Sequence, residues 1–123
     1  MESLSILKNL ADNGNIEAKA QYGWMMYDLD GFRHNYKEAL KYIKEAVKEG
    51  NALALGIYGS MHLDGIVVDR NYEEAVRYLN MSIDKGCGYA MNKIGNMYND
   101  GIYFGQDVSE SVRYYKMGMK AGY

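Results

Sequence analysis

The chain of 123 residues has a single cysteine, only two histidines and no long apolar run. Because Cys87 has no second thiol to pair with, an internal disulfide is excluded, and stability must come from packing in a reducing compartment. Neither His34 nor His62 has another histidine or a cysteine at metal-ligand spacing, which argues against a metal site. No apolar stretch approaches the roughly 18 residues that suggest a membrane span, and the acidic amino-terminal segment is atypical of a signal peptide. We therefore expect a cytoplasmic protein.

The chain also lacks a strong charge of either sign. Its formal net charge is -2, so no global positive field would attract nucleic acid or an anionic membrane. The hydrophobic fraction of 48% and the charged fraction of 24% are those of ordinary globular domains. The composition predicts one folded domain over residues 1–123, with no cofactor and with neither nucleic acid nor membrane as a partner.

What the chain does have is a period of 36 residues. Glycines mark it at Gly14, Gly50, Gly86 and Gly122. Five further sets of residues keep the same spacing: Ala18, Ala54 and Ala90; Gly23, Gly59 and Gly95; Tyr36, Tyr72 and Val108; Ala39, Ala75 and Ser111; Tyr42, Tyr78 and Tyr114. A fixed period of this length is typical of a solenoid, in which each unit buries its apolar face against its neighbours. We divide the chain into a half repeat, 3–14, and three repeats, 15–50, 51–86 and 87–122.

Each repeat reads as a helical hairpin. In the middle unit, Ala54, Tyr58, Met61 and His62 follow the spacing of one buried helical stripe. Gly59 lies beside that stripe, and its recurrence predicts that a neighbouring helix passes too close for a β-carbon. Gly65 is expected to end the first helix in a left-handed conformation. A second helix is predicted over 72–85, which makes the protein all-α with about seven helices.

The first and last units depart from this plan. Gly31 precedes Gly65 by 34 residues instead of 36, which predicts a longer first helix and a shorter loop in the first unit. The final helix carries more apolar residues than one stripe can bury: Val112, Tyr114, Tyr115, Met117 and Met119. Some of them must face outward, so this end is expected to be covered. Either two chains self-associate as a homodimer through the carboxyl-terminal helix pair, or the polypeptide continues.

The repeat pattern resembles that of the Sel1-like repeat family, which is related to the tetratricopeptide repeats. The resemblance rests on Ala54, Tyr58, Gly59, the run 64–67, Asp69, Ala75, Tyr78 and Gly86, and on their counterparts in the third unit. It implies a right-handed superhelix of paired helices, an inner surface lined by the first helix of each pair, and an adaptor or scaffold role instead of a reaction. Some family members brace each hairpin with a disulfide, which the lone Cys87 excludes here.

The predicted groove is where the units stop resembling each other. By analogy with the tetratricopeptide repeats, the residues that we expect to contact a partner are Trp24, Tyr27, Asp28, Ser60, Leu63, Asp64, Tyr89, Asn92, Asn96, Asn99 and Asp100. The three asparagines form one row, in which their amides either clamp a peptide backbone or are simply solvated. Trp24 is either an interface anchor or a packing residue. The three aspartates favour a neutral or basic peptide.

Candidate catalytic residues are poorly supported throughout the sequence. His62 occupies the position of Tyr98 in the next unit, which favours a satisfied packing role over a ligand or a base. Cys87 begins a helix but has neither a partner base nor a resolving cysteine. We therefore predict a protein–protein interaction scaffold without enzymatic activity. Two alternatives stay open: a small-ligand binder or enzyme that uses Cys87 or His62 in a pocket, and a structural spacer within a larger assembly.

Overall fold

A computed structural model describes residues 2–27 and 35–123, with side chains from residue 4 onward. The described residues form seven α-helices: α1 (Glu2–Asp12), α2 (Ile16–Tyr27), α3 (Tyr36–Lys48), α4 (Ala52–Asp64), α5 (Tyr72–Asp84), α6 (Gly88–Asp100) and α7 (Val108–Lys120). The predicted all-α solenoid is thereby confirmed. The longer first helix predicted from Gly31, like His34, lies outside the described residues.

The helices form two layers. Each hairpin, α2–α3, α4–α5 and α6–α7, packs most closely within itself, and α1 packs on α2. The inner helices α2, α4 and α6 also contact one another in succession, whereas among the described residues the outer helices α1, α3, α5 and α7 do so weakly at most. Because the inner helices are closer together, their side of the solenoid is concave.

Glycines allow the two helices of each hairpin to approach closely. A β-carbon added to Gly59 would lie 2.8 Å from Leu79 Cγ and 3.0 Å from the carbonyl oxygen of Ala75. On Gly95 it would lie 2.8 Å from the Tyr115 ring. Since real β-carbons are almost never found below 3.0 Å from another heavy atom, the predicted close approach is confirmed.

Helix ends follow from local chemistry. Gly65 ends α4 in the left-handed region, with φ of 66° and ψ of 28°, as predicted. At the other end of the helices, side-chain oxygens accept a hydrogen bond from the backbone N–H three residues later. The capping residues are Asn15, Asn35, Asn51, Asn71 and Asp107. Cys87 occupies the same place before α6, but its side chain makes no capping hydrogen bond.

The core lies between the two layers and thins toward the last helix. Ile43 on α3 and Leu79 on α5 are fully buried, whereas their equivalent on α7, Tyr115, is half-buried. Val112 is 42% exposed and Met119 is 73% exposed. The prediction that part of the apolar surface of α7 faces outward is therefore confirmed.

The first outer helix is attached through its last residue. The hydroxyl of Tyr42 on α3 donates a hydrogen bond to Asp12 on α1. Lys8 Nζ lies 3.1 Å from Asp12 Oδ2. The hydrogen bond from Tyr42 and then that from Lys8 hold the pKa of the Asp12 carboxyl below its ordinary value.

Candidate functional site on the inner face

Hydrogen bonds between units join the inner helices. Tyr27 Oη on α2 donates to Asp64 Oδ2 on α4 over 2.5 Å. Tyr89 Oη on α6 donates to Ser60 Oγ on α4 over 3.0 Å. Tyr27, Ser60 and Tyr89 are 4%, 0% and 2% exposed. These three residues were expected to contact a partner directly. The expectation needs correction for Tyr27 and Ser60, because their side chains pack against the adjacent inner helix and leave almost no surface for a partner. Tyr89 also lines a cavity, so its contact with a partner stays a prediction.

A cavity of about 290 Å³, the inner cavity, lies where residues of all three units meet. Its lining residues are Glu17, Gln21, Trp24, Leu53, Cys87, Gly88, Tyr89, Ala121, Gly122 and Tyr123. The ring of Tyr123 packs edge-on against that of Tyr89, with 5.9 Å between ring centres. Glu17 Oε2 accepts a hydrogen bond from the side-chain amide of Asn51 over 2.8 Å. The cavity is thus mainly apolar and aromatic, with a carboxylate among its lining residues.

Trp24 combines the two roles considered for it. It is half-buried and packs against the core cluster formed mainly by buried residues of α2, α3 and α4. It also lines the inner cavity. Its Nε1 is buried and has no hydrogen-bond partner among the described residues. Leaving a buried donor unpaired costs about 1–3 kcal/mol. Hydrogen bonding among the described residues therefore does not explain the position of Trp24.

A second cavity, the junction cavity, has a volume of about 430 Å³ and lies between the second and third units. Its lining residues are Leu63, Asp64, Ile66, Arg70, Tyr72, Lys93, Asn96, Met97, Asp100 and Ile102. Four of the predicted contact residues, Leu63, Asp64, Asn96 and Asp100, come together here. Sequence analysis missed Arg70 and Lys93 as neighbours of these four, because they lie outside the groove positions inferred by analogy.

Some polar groups of the junction cavity are already bonded. Arg70 donates to the carbonyl oxygens of Leu63 over 3.2 Å and of Asp64 over 3.0 Å, at the end of α4. Asn96 Oδ1 accepts a hydrogen bond from Tyr115 Oη over 2.5 Å. Lys93 Nζ lies 5.2 Å from the centre of the Tyr89 ring and makes no ion pair within the described part of the chain. The cavity therefore contains both signs of charge.

The row of asparagines does not line one cavity. Asn96 lines the junction cavity, whereas the backbone nitrogen of Asn92 lies next to Gly118 on α7. Asn99 is exposed and donates from Nδ2 to Asp100 Oδ1 over 3.2 Å. A clamp made by all three amides remains a prediction, and Asn96 is the amide that the cavity geometry favours. The predicted contact Asp28 lies outside the described residues.

His62 packs among aromatic rings, as predicted. Its ring stacks on Tyr78 with an interplanar angle of 5° and meets Tyr58 edge-on, 4.8 Å between centres. Its Nδ1 is buried without a hydrogen-bond partner among the described residues, so one polar atom of the packed ring is unpaired in this part of the chain. Over the described ranges, 2–27 and 35–123, no three His, Cys, Asp or Glu side chains are grouped so as to hold a metal ion.

No helix within the described ranges combines the length and the apolar character that crossing a membrane requires. This finding concerns helical spans alone.

Comparisons with known proteins identify the repeat. A sequence model of the Sel1 repeat matches residues 16–51, 52–87 and 88–123, one residue later than the unit boundaries predicted above. A solved structure of a Sel1 repeat protein from Oxalobacter formigenes is 26% identical and superposes with a TM-score of 0.73, over 99% of this chain and 50% of that one. The protective antigen c5321 of uropathogenic Escherichia coli, which displays an SLR fold, is 24% identical with a TM-score of 0.70, over 98% of this chain and 26% of that one.

The chain thus spans half or less of the length of these two solved proteins. A search among curated proteins found no match. Since three Sel1 repeats account for residues 16–123, the chain belongs to the Sel1 repeat family, whose members generally mediate protein–protein interaction.

Proposed function

We propose that this protein is a non-catalytic scaffold that binds an extended segment of a partner protein along its inner face. The observation that carries the proposal is the contrast between packing positions and inner-face positions. The glycines of the helix contacts recur in every unit, whereas Glu17, Leu53 and Tyr89, which all line the inner cavity, occupy one equivalent position with three different side chains. Recognition of an extended segment requires a different side chain in each unit, as this position provides.

The inner cavity is suited to an apolar anchor from the partner. Trp24 and Leu53 are half-buried, and Tyr123 is 57% exposed. Tryptophan and tyrosine are enriched at the energetic centres of protein interfaces. Because Sel1 repeats generally mediate protein–protein interaction, we expect a side chain of a polypeptide to occupy this cavity of about 290 Å³.

The charges of the inner face favour a neutral or basic segment. Glu17 in the inner cavity and Asp64 and Asp100 in the junction cavity are acidic. The junction cavity also contains Arg70 and Lys93, so a preference for a basic side chain applies to the inner cavity, and a neutral one suits the junction cavity. A cytoplasmic location is part of the proposal, because the single thiol of Cys87 suits a reducing compartment. An adaptor role is part of it as well.

A peptide selection tests the proposal. Random peptides displayed on phage would be selected on the protein, and the affinity of the enriched peptides measured for the parent, for Trp24→Ala and for Lys44→Ala. Lys44 is an exposed residue of the outer helix α3 and serves as the matched control. We expect Trp24→Ala to weaken binding by about thirtyfold, as at an interface hot spot, and Lys44→Ala to leave it unchanged. Urea unfolding of both variants would separate lost binding from lost folding.

Two results would contradict the proposal. One is a set of peptides that binds Trp24→Ala as tightly as the parent. The other is a set whose binding depends on Lys44, which would transfer the binding surface to the outer helices.

Self-association through α7 stays a separate prediction. Val112 and Met119 are exposed on α7, whereas their equivalents Val76 and Ile83 on α5 are half-buried and belong to the core cluster formed with α6. If two copies cover this surface, light scattering should detect a dimer that Val112→Lys with Met119→Lys converts to a monomer. A parent that is monomeric at high concentration would refute this. Tyr115 is unsuitable for the test, because it bonds to Asn96 within the chain.

A further inference from the structure

A tyrosine side chain lies in the junction between the first and second units. The ring of Tyr27 is buried and meets that of Tyr36 edge-on, with 5.6 Å between centres. Its hydroxyl donates to Asp64 Oδ2 over 2.5 Å and lies 3.5 Å from the carbonyl oxygen of Ser60. A phenol with a carboxylate acceptor is thus a side chain that this type of junction accommodates.

The next junction has the same positions but no tyrosine. Thirty-six residues after Tyr27 stands Leu63, and the position of the acceptor Asp64 is taken by Asp100. Leucine is shorter than tyrosine and has no hydroxyl. The junction between the second and third units is correspondingly open, as the junction cavity of about 430 Å³. Its size lies within the range of roughly 300–1,000 Å³ that ligand-binding cavities have.

Polar groups at this cavity are available to an occupant. Asp100 uses Oδ1 to accept from Asn99, and its other oxygen has no hydrogen bond among the described residues. Asn96 uses Oδ1 to accept from Tyr115, which leaves its amide nitrogen without a partner in the same part of the chain. Lys93 replaces Ile57, which is fully buried in the preceding unit, and its ammonium already lies near an aromatic ring.

The residues that line the junction cavity favour some kinds of side chain as its occupant over others. An anionic side chain would meet the carboxylates of Asp64 and Asp100, and a cationic one would meet Lys93 and Arg70. A purely apolar side chain would remove these groups from water without pairing them, which is unfavourable. A neutral aromatic ring with a hydroxyl avoids both charge repulsions and reduces the third cost, because its ring packs on Leu63 and Met97 while its hydroxyl bonds to a carboxylate.

We propose that the junction cavity receives a tyrosine side chain of the partner polypeptide, whose hydroxyl donates to Asp100 as that of Tyr27 donates to Asp64. Lys93 lies where its ammonium can face the incoming ring, a favourable cation–π arrangement. This inference rests on the proposed function, and it adds to it the identity of one side chain that the partner must present.

The first experiment titrates N-acetyl-tyrosinamide and N-acetyl-phenylalaninamide into the ¹⁵N-labelled protein. We expect saturable amide shifts in the segments that line the cavity, 63–72 and 93–102. The phenylalanine compound should bind at least about tenfold more weakly, as expected for the loss of a hydrogen bond to a charged acceptor. Equal affinities, or shifts outside these segments, would overturn the proposal.

The second experiment fills the cavity from within. Leu63→Tyr should place a phenol where Tyr27 has its own, raise the melting temperature and abolish the shifts caused by N-acetyl-tyrosinamide. Leu63→Met is the matched control, because it keeps an apolar side chain of similar volume and should preserve binding. A folded Leu63→Tyr protein that binds the tyrosine compound like the parent would overturn the proposal.

A third variant decides the matter if Leu63→Tyr does not fold. Asp100→Asn keeps the shape of an exposed side chain but removes its charge. We expect it to weaken binding of the tyrosine compound about fivefold, since an amide oxygen is a weaker acceptor than a carboxylate. Unchanged preference for tyrosine would refute the role of Asp100 and with it the proposal.

The peptides selected above separate this inference from the proposed function. Peptides that depend on Trp24, contain tyrosine and lose affinity for Leu63→Tyr would support both. Peptides that depend on Trp24 but bind Leu63→Tyr as tightly as the parent would overturn the inference alone, and the scaffold function would stand.

Discussion

The central hairpin α4–α5 and the last hairpin α6–α7 share one sequence plan but differ in their surroundings. Leu79 on α5 is fully buried, and it belongs to a core cluster with Ala90 and Ile94 of α6. Its equivalent on α7, Tyr115, is half-buried. In a solenoid, the stability of a unit depends on its contacts with both neighbours. The comparison shows that the same position is buried more deeply in α5, which packs against α6, than in α7.

The largest difference in stability between the two hairpins is expected at the glycines where their helices are in contact. A β-carbon at position 59 would lie 3.0 Å from the backbone oxygen of Ala75, whereas at position 95 the nearest backbone atom, the oxygen of Ser111, would be 3.3 Å away. The closest contact at position 95 would be the half-buried ring of Tyr115. We expect Gly59→Leu to lower the free energy of unfolding by about 3 kcal/mol or more. For Gly95→Leu we expect about 1 kcal/mol. Urea denaturation of the two variants measures both. Equal losses would show that the last hairpin is as rigid as the central one.

Two buried serines sharpen the comparison with effects of opposite sign. Ser82 Oγ on α5 donates to the carbonyl oxygen of Ala52 over 2.6 Å. Ser111 Oγ on α7 is buried with no hydrogen-bond partner among the described residues, and Ala75 stands at the equivalent position. We expect Ser111→Ala to stabilise the protein by about 1–3 kcal/mol and Ser82→Ala to destabilise it by about 1 kcal/mol. Thermal unfolding that shows the same sign for both would contradict this assignment.

A smaller effect on stability is expected at the residues that precede α4 and α6. Asn51 caps α4 with its side chain, accepting from the N–H of Ala54 over 2.9 Å, whereas Cys87 makes no such bond at α6. Cys87→Asn should therefore stabilise the protein by about 1 kcal/mol. Asn51→Cys should cost a similar amount in the central hairpin. If the melting temperature of Cys87→Asn equals that of the parent, the missing cap does not weaken the last unit.

The smallest effect extends the comparison to the opposite end, where α1 bonds to Tyr42 through Asp12. The folded-state pKa of Asp12 is lowered, so its contribution to stability is present above the unfolded-state pKa and is lost as pH falls through the folded-state pKa. Tyr42→Phe removes the largest cause and should raise the pKa of Asp12 toward its ordinary value. An NMR titration of the side-chain carboxyl measures it, with Tyr78→Phe as the control. An unchanged pKa would mean that Lys8 alone accounts for the shift.

The sequence was sufficient for the features that recur locally. Gly59 and Gly65 could be assigned from their period and from the conformational freedom of glycine, and both assignments are confirmed. Leu63 and Asp100 were named as inner-face residues, and the structure brings them together. Ser60 could not be assigned correctly, because its burial depends on the angle between neighbouring inner helices, which no single repeat encodes.

Two further features of the sequence indicate parts of this structure: the repeated capping asparagines and the residues at the junctions between units. Asn15 and Asn51 are 36 residues apart, as are Asn35 and Asn71, and each precedes a helix, where asparagine is a preferred cap. The different side chains at the two junctions could also have been read from Leu63 standing where Tyr27 does. It required knowing that Tyr27 points into the junction, which depends on packing between units.

The placement of Trp24 gives the protein a built-in optical reporter. It is the only tryptophan in the chain, it is half-buried, and it lines the cavity that we assign to a partner's anchor. Indole emission depends on how much water surrounds the ring, so excitation selective for tryptophan reads this one site against the background of 13 tyrosines. Filling the cavity should shift the emission to shorter wavelength, whereas unfolding should shift it to longer wavelength. Binding and loss of structure can therefore be distinguished in the unlabelled protein by the direction of a single spectral change.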